Sequence, residues 1–107
     1  MRRRGLVLVA FVALFATGAA FGAQSKSVAI SNFAFDPPSL TVERGTRVVW
    51  TNRDEEPHTV TSADANAPFK SQGLDTDETF SYVFDKPGTY KYFCTIHPHM
   101  VGQIIVR

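Results

Sequence analysis

Residues 80–94 read Phe80-Ser81-Tyr82-Val83-Phe84-Asp85-Lys86-Pro87-Gly88-Thr89-Tyr90-Lys91-Tyr92-Phe93-Cys94. Phe80, Tyr82 and Phe84 alternate with Ser81 and Val83, a period of two that belongs to a strand with one face against a core. Lys86-Pro87-Gly88 interrupts the run with turn chemistry. Tyr90, Tyr92 and Cys94 then fall on one face of the next strand.

The same pattern extends in both directions. Toward the C-terminus, Ile104 and Val106 share one face of a last strand and Ile105 takes the other. Toward the N-terminus, Val28 to Ile30 alternates and Phe33 and Phe35 alternate again, the change of phase between them predicting a bulge. Asp36-Pro37-Pro38 ends that stretch. Leu40 to Glu43 is a strand closed by Arg44-Gly45, and Arg47 to Asn52 is another, with Val48 and Trp50 on one face; the two are predicted to form a hairpin. A further strand starts over His58 to Thr61, and Ser62 to Gln72, polar and Ala-rich, reads as the longest irregular excursion. Phe80, Tyr82, Phe84 and Trp50 read as core. Seven or eight short strands separated by turns, with no helical period, repeat or low-complexity tract, predict an all-β fold, a Greek-key sandwich of two antiparallel or mixed sheets.

The first two dozen residues follow a different rule. Arg2, Arg3 and Arg4 precede an unbroken apolar run from Leu6 to Ala16 and small residues from Thr17 to Ala23, the order of a secretory signal. Cleavage after Gly22 places Ala20 at the −3 position. The expected organisation is a signal over 1–22 and a single domain over 23–107. The run is shorter than the roughly 20 apolar residues a bilayer span needs, so no permanent membrane span is expected. Export to the periplasm follows, with membrane association only if the signal stays uncleaved. Without its three leader arginines the chain has 8 Lys+Arg against 10 Asp+Glu, a net charge of −2. No basic stripe remains to suggest nucleic acid.

A domain this small usually needs a staple, and with 1 cysteine it has no internal disulfide. A metal on Cys94 would serve. All 3 histidines, the cysteine and the only methionine besides the initiator lie in Pro57-His58-Thr59 and Cys94-Thr95-Ile96-His97-Pro98-His99-Met100. A thiolate and two imidazoles suit copper or zinc, not calcium or magnesium. A thioether turns the preference toward copper. Cys94, His97 and Met100 stand three apart, so a tight loop containing Pro98 can aim all three at one point, with His58 arriving from a neighbouring strand. Donors held by a rigid sheet and one loop reorganise little when an electron moves. His99 is expected at the surface, and Asp54, Glu55 and Glu56 read as a solvated turn.

On these residues the chain resembles a known family. Phe35-Asp36-Pro37, Leu40-Thr41-Val42, Gly45, Val48-Val49-Trp50-Thr51-Asn52, Asp54, Pro57-His58-Thr59-Val60, Lys86-Pro87-Gly88-Thr89-Tyr90 and Tyr92 to Met100 are similar to cupredoxins of the amicyanin and plastocyanin type. The short Cys-x-x-His-x-x-Met spacing is the specific part. The resemblance implies a type 1 blue copper site. His58, Cys94 and His97 would be strong equatorial ligands to one ion and Met100 a long axial one. Asn52 would tie the His58 segment to the ligand loop near Thr95, with Thr59 and Thr95 in the same outer layer. Thr59 stands where asparagine is frequent, and His99 where an apolar residue, commonly phenylalanine, is typical.

The implied function is one-electron transfer by a monomer, without substrate turnover. His97 would be the exit edge, and Pro57, Pro98 and His99 its docking surroundings for transient redox partners. Two alternatives remain at this point. A copper carrier or storage protein would pass on the ion itself, usually from a methionine-rich site. A zinc enzyme with a His, His, Cys site would leave Met100 idle and lacks an evident general base.

Overall fold

The computed structural model describes Gly5 and residues 24–64 and 69–107. The expected signal therefore lies, apart from Gly5, outside the described residues. Among the described residues there are eight strands and no helix: β1 (Ser25–Ser31), β2 (Ala34–Asp36), β3 (Ser39–Val42), β4 (Thr46–Asn52), β5 (Thr61–Ser62), β6 (Thr79–Phe84), β7 (Gly88–Phe93) and β8 (Val101–Val106).

β4 shows why the alternating pattern becomes a buried sheet. Thr46, Val48, Trp50 and Asn52 are buried while the residues between them are exposed or half-buried, as the two-residue period of a strand requires. β4 pairs in parallel with β1 and antiparallel with β6, and β2 adds to the far side of β1, giving the order β2-β1-β4-β6. The second sheet runs β3-β8-β7-β5, with β3 parallel to β8 and the other pairs antiparallel. Both sheets are mixed, and the chain passes repeatedly from one to the other in a Greek-key sandwich.

Aromatic rings fill the space between the sheets. Trp50 of the first sheet meets Tyr92 of the second in a T-shaped pair with centroids 5.4 Å apart. Phe35 meets Tyr92 from β2 at 4.7 Å. Burial pushes the Tyr92 hydroxyl up to about 12, with the neighbouring Trp50 N–H pulling back more weakly. Among the described residues, neither Trp50 Nε1 nor the Tyr92 hydroxyl has a partner in full hydrogen-bonding geometry.

Two local expectations are corrected. β3 and β4 are not a hairpin, because the corner between them changes sheets. The Arg44 N–H donates to the Arg107 carbonyl beyond β8, and the next N–H, of Gly45, donates to the Phe84 carbonyl of β6. Gly45 takes φ 88°, a conformation glycine adopts without the Cβ penalty. The phase change after Ile30 is likewise a turn and not a bulge. Asn32 and Phe33 have φ 53° and 58°, and β2 folds back on β1 with Ser31 opposite Ala34.

The irregular excursion also contributes more than its composition suggests. Phe69 is buried, stacks on Trp50 at 6.0 Å and packs against Phe84 at 5.6 Å. Leu74 is buried too, and its N–H and C=O both pair with His58 at 2.7 and 3.1 Å. The expected strand over 58–61 is thus reduced to the two-residue β5, with His58 held by an isolated bridge.

Candidate metal centre

His58 follows Pro57 and is fixed through its backbone by Leu74, which places its side chain inside the sandwich with no exposed surface. Its Nε2 lies 2.8 Å from Asp54 Oδ2. Asp54 also accepts the N–H of Asn32 at 2.7 Å and of Phe33 at 2.9 Å. Desolvation pushes the Asp54 carboxyl upward, but the two backbone donors and His58 outweigh it, and the net shift is below the usual carboxylate value. An ionised carboxylate only accepts. His58 therefore carries its proton on Nε2, which leaves the Nδ1 lone pair directed elsewhere.

What Nδ1 faces is sulfur. Cys94 lies just past the end of β7, is completely buried, and has its Sγ 3.8 Å from His58 Nδ1 and 3.8 Å from His97 Nδ1. The ligating atoms of the three residues all lie within 4.8 Å of one another. With metal bonds of about 2.3 Å to sulfur and about 2.0 Å to nitrogen, an angle of roughly 120° separates the two donors by about 3.7 Å. The observed spacing fits one ion held in common. The Thr59 N–H donates to the same sulfur at 3.3 Å.

The loop carrying His97 closes on itself. The Cys94 N–H donates to the Met100 carbonyl at 3.1 Å and the Met100 N–H to the His97 carbonyl at 2.9 Å. Met100 is buried within the core cluster, beside the start of the loop. Pro98 and His99 are exposed and His97 is half-buried, so of the two imidazoles beside the Cys94 sulfur only His97 reaches solvent. Pro57 is exposed as well, and Ile96 leaves 47% of its surface uncovered.

The outer support differs from expectation in one respect. Asn52 does not reach the ligand loop near Thr95. Its Nδ2 donates to the carbonyls of Glu56 and Leu74, both at 2.8 Å, and its Oδ1 accepts the Asp54 N–H at 2.9 Å. At the buried end of β4 its amide is fully used in bracing the 53–57 turn and the Leu74 segment. The bridge to the loop is made by Thr59, whose Oγ1 accepts the Thr95 N–H at 2.8 Å and lies 2.9 Å from Thr95 Oγ1.

Asp54 and Phe33 were not singled out as site residues by the sequence. The available signal for Asp54 was a carboxylate four residues before His58; Phe33 had none, because a turn across two strands brings it there. Its ring makes T-shaped contacts with both imidazoles, 5.2 Å from His58 and 5.0 Å from His97.

The chain matches the model of the cupredoxin-like domain over residues 5–106. It belongs to the cupredoxin-like family. The chain is 32% identical to Amicyanin-alpha of Methylorubrum extorquens, over 97% of its own length and 99% of that protein's. It is 34% identical to Amicyanin of Paracoccus denitrificans over 75% of its length, and spans 63% of that relative. A solved amicyanin mutant in its Cu(I) form superposes with a TM-score of 0.74 at 32% identity, covering 83% of this chain and 88% of that one. In this cupredoxin the donors fit copper on their own chemistry. A thiolate and two imidazoles converge, the one nearby carboxylate is turned away toward Nε2 and two amides, and no hard oxygen cage is present among the described residues.

Proposed function

We propose that this cupredoxin carries single electrons between redox proteins on one copper ion held by His58 Nδ1, Cys94 Sγ, His97 Nδ1 and the Met100 thioether. The observation that carries the reading is the pair of 3.8 Å separations between one buried sulfur and two imidazole nitrogens. When bound, copper supplies a one-electron couple between its cuprous and cupric states. The remaining work belongs to the chain. Asp54 and Leu74 hold His58 in one tautomer and place, and Thr59 holds the sulfur and the loop. Burial of Cys94, His58 and Met100 keeps water from the donors, and a site held this way on both sides reorganises little.

Electrons leave through His97, the donor imidazole nearest solvent. Exposed Pro57, Ile96, Pro98 and His99 surround it and form a small, largely apolar docking edge. Small interfaces suit encounters that must end quickly. A Met100 thioether serving as fourth donor would leave no open site for substrate, which supports a carrier over an enzyme. We also propose that residues 1–22 direct export to the periplasm, where the domain 23–107 acts as a monomer. No helix of the described residues is long and apolar enough to cross a membrane.

Adding cupric ion to the purified metal-free protein tests the reading. An intense visible band that bleaches on reduction and returns on oxidation is expected. A colourless protein that binds zinc in preference to copper would overturn it.

A further inference from the structure

The turn joining β1 to β2 carries an unexplained cost. Both central residues have positive φ, 53° at Asn32 and 58° at Phe33. That is the type of turn for which Asn-Gly is the favoured pair, and a bulky aromatic is an outlier in the second position. Such conformations persist where surrounding contacts determine them, and they point to a role for the residue so held.

The surroundings here are specific. Both turn N–H groups donate to the two oxygens of Asp54, and Asp54 Oδ2 also receives His58 Nε2. One carboxylate thus holds the turn and an imidazole together. The Phe33 ring stands perpendicular to both imidazoles, at 88° to His58 and 86° to His97. Phe33 itself is 45% exposed while His58 beneath it is 0% exposed. The aromatic ring therefore lies on the solvent side of the donors and covers the one that is fully buried.

From this we infer that Asp54 and Phe33 act as one positioning unit on the metal centre. Asp54 fixes the tautomer of His58 and seats Phe33 across both imidazoles, and by covering them Phe33 limits access to the Cys94 sulfur that both of them face. The unit matters to electron transfer only through the copper reading above, but its geometry is a property of the metal-free chain.

The test begins without metal. In the metal-free protein, the rate at which Cys94 reacts with an aromatic disulfide, compared between variants at equal thiolate fraction, reports access to the sulfur. Phe33→Gly removes the ring and relieves the positive φ, so the fold is retained and the unfolding temperature serves as the control. Phe33→Gly is expected to speed the reaction several-fold. Asp54→Asn is expected to speed it as well, and the double variant to match Phe33→Gly alone, because Asp54 controls access through Phe33. Nitrogen-15 NMR of the His58 ring separates the two roles. Asp54→Ala, which leaves no acceptor at that position, should shift the proton away from Nε2, whereas Phe33→Gly should leave it there.

An unchanged thiol rate in Phe33→Gly, or multiplicative effects of the two substitutions, would overturn the unit. Cupric ion is added last. A protein that obeys this pattern yet stays colourless would sink the copper assignment while upholding the positioning unit.

Discussion

The two sides of the metal centre are built by opposite means. Cys94, His97 and Met100 share one short loop that closes through its own backbone, Cys94 N–H to Met100 carbonyl and Met100 N–H to His97 carbonyl. Spacing along the chain does most of that work. His58 is held by contacts from outside the loop, by distant Leu74 on its backbone, by Asp54 four residues earlier on its ring and, behind both, by Asn52. The loop side carries three of the four proposed donors, and the His58 side decides where the last one stands. Damage to the loop should therefore show first in the metal, and damage to the other side first in the stability of the fold around it.

Cys94→Ser makes the largest break. It removes the thiolate that both imidazoles face, so the visible band formed with cupric ion should be lost outright, as absorption spectroscopy will show. On the opposite side, Asn52→Ala leaves the Glu56 and Leu74 carbonyls and the Asp54 N–H without their partner. Orphaning buried polar groups of this kind should cost about 3 kcal/mol in denaturant unfolding of the metal-free protein. Its metal band should survive at saturating copper, in contrast to the serine variant.

Gly102→Ala tests the base of the loop. Gly102 pairs with Tyr92 directly below Cys94 and Met100, and a Cβ there would lie 2.5 Å from Tyr92 Cζ and hydroxyl oxygen. The ring is buried and cannot swing away freely, so overpacking should cost about 2 kcal/mol. Thr59→Val is milder. It keeps the 59 N–H on the sulfur but removes the oxygen that accepts the Thr95 N–H, for a loss of about 1 kcal/mol.

The smallest effect is one of pH. The Asp54 pKa is lowered in the fold from 3.8, so its contribution to stability is present above that value. It is lost as pH falls below 3.8 through the lowered folded value, because the unfolded chain takes up the proton first. Denaturant midpoints of the metal-free protein should fall over that range, and Asp54→Asn should flatten the slope. An unchanged slope would remove Asp54 from the brace.

How far the sequence could be read follows the same division. The alternation in 80–84 and in 90–94 and the inward faces of β4 and β8 were legible because a strand with one buried face imposes a period of two. The cluster of candidate donors on the loop was legible because its spacing is local, and Cys94 and His97 do meet His58. The supposed hairpin of β3 and β4 failed for a complementary reason. Arg44-Gly45 is a turn signal, but which sheet each arm joins depends on Arg107 and Phe84, far along the chain. Phe69 was hidden in a polar stretch, and only the packing of Trp50 and Phe84 reveals it as core. Asp54 looked like one acid among three in a solvated turn. Beyond the ring of His58 four residues on, its partners are two amides of another turn that its own neighbours in sequence do not announce.

By itself, the order of residues determined a β sandwich and an inventory of soft donors, since strand periodicity and loop spacing act over a few positions. Only the tertiary structure decided which oxygen holds His58, which ring covers it and which sheet each strand enters. Asp54 stands only four residues before His58, but what aims its carboxylate is its pairing with the Asn32–Phe33 turn and the Asn52 brace on Leu74, between segments twenty or more residues apart, and such pairings exist only once the two sheets have closed on each other.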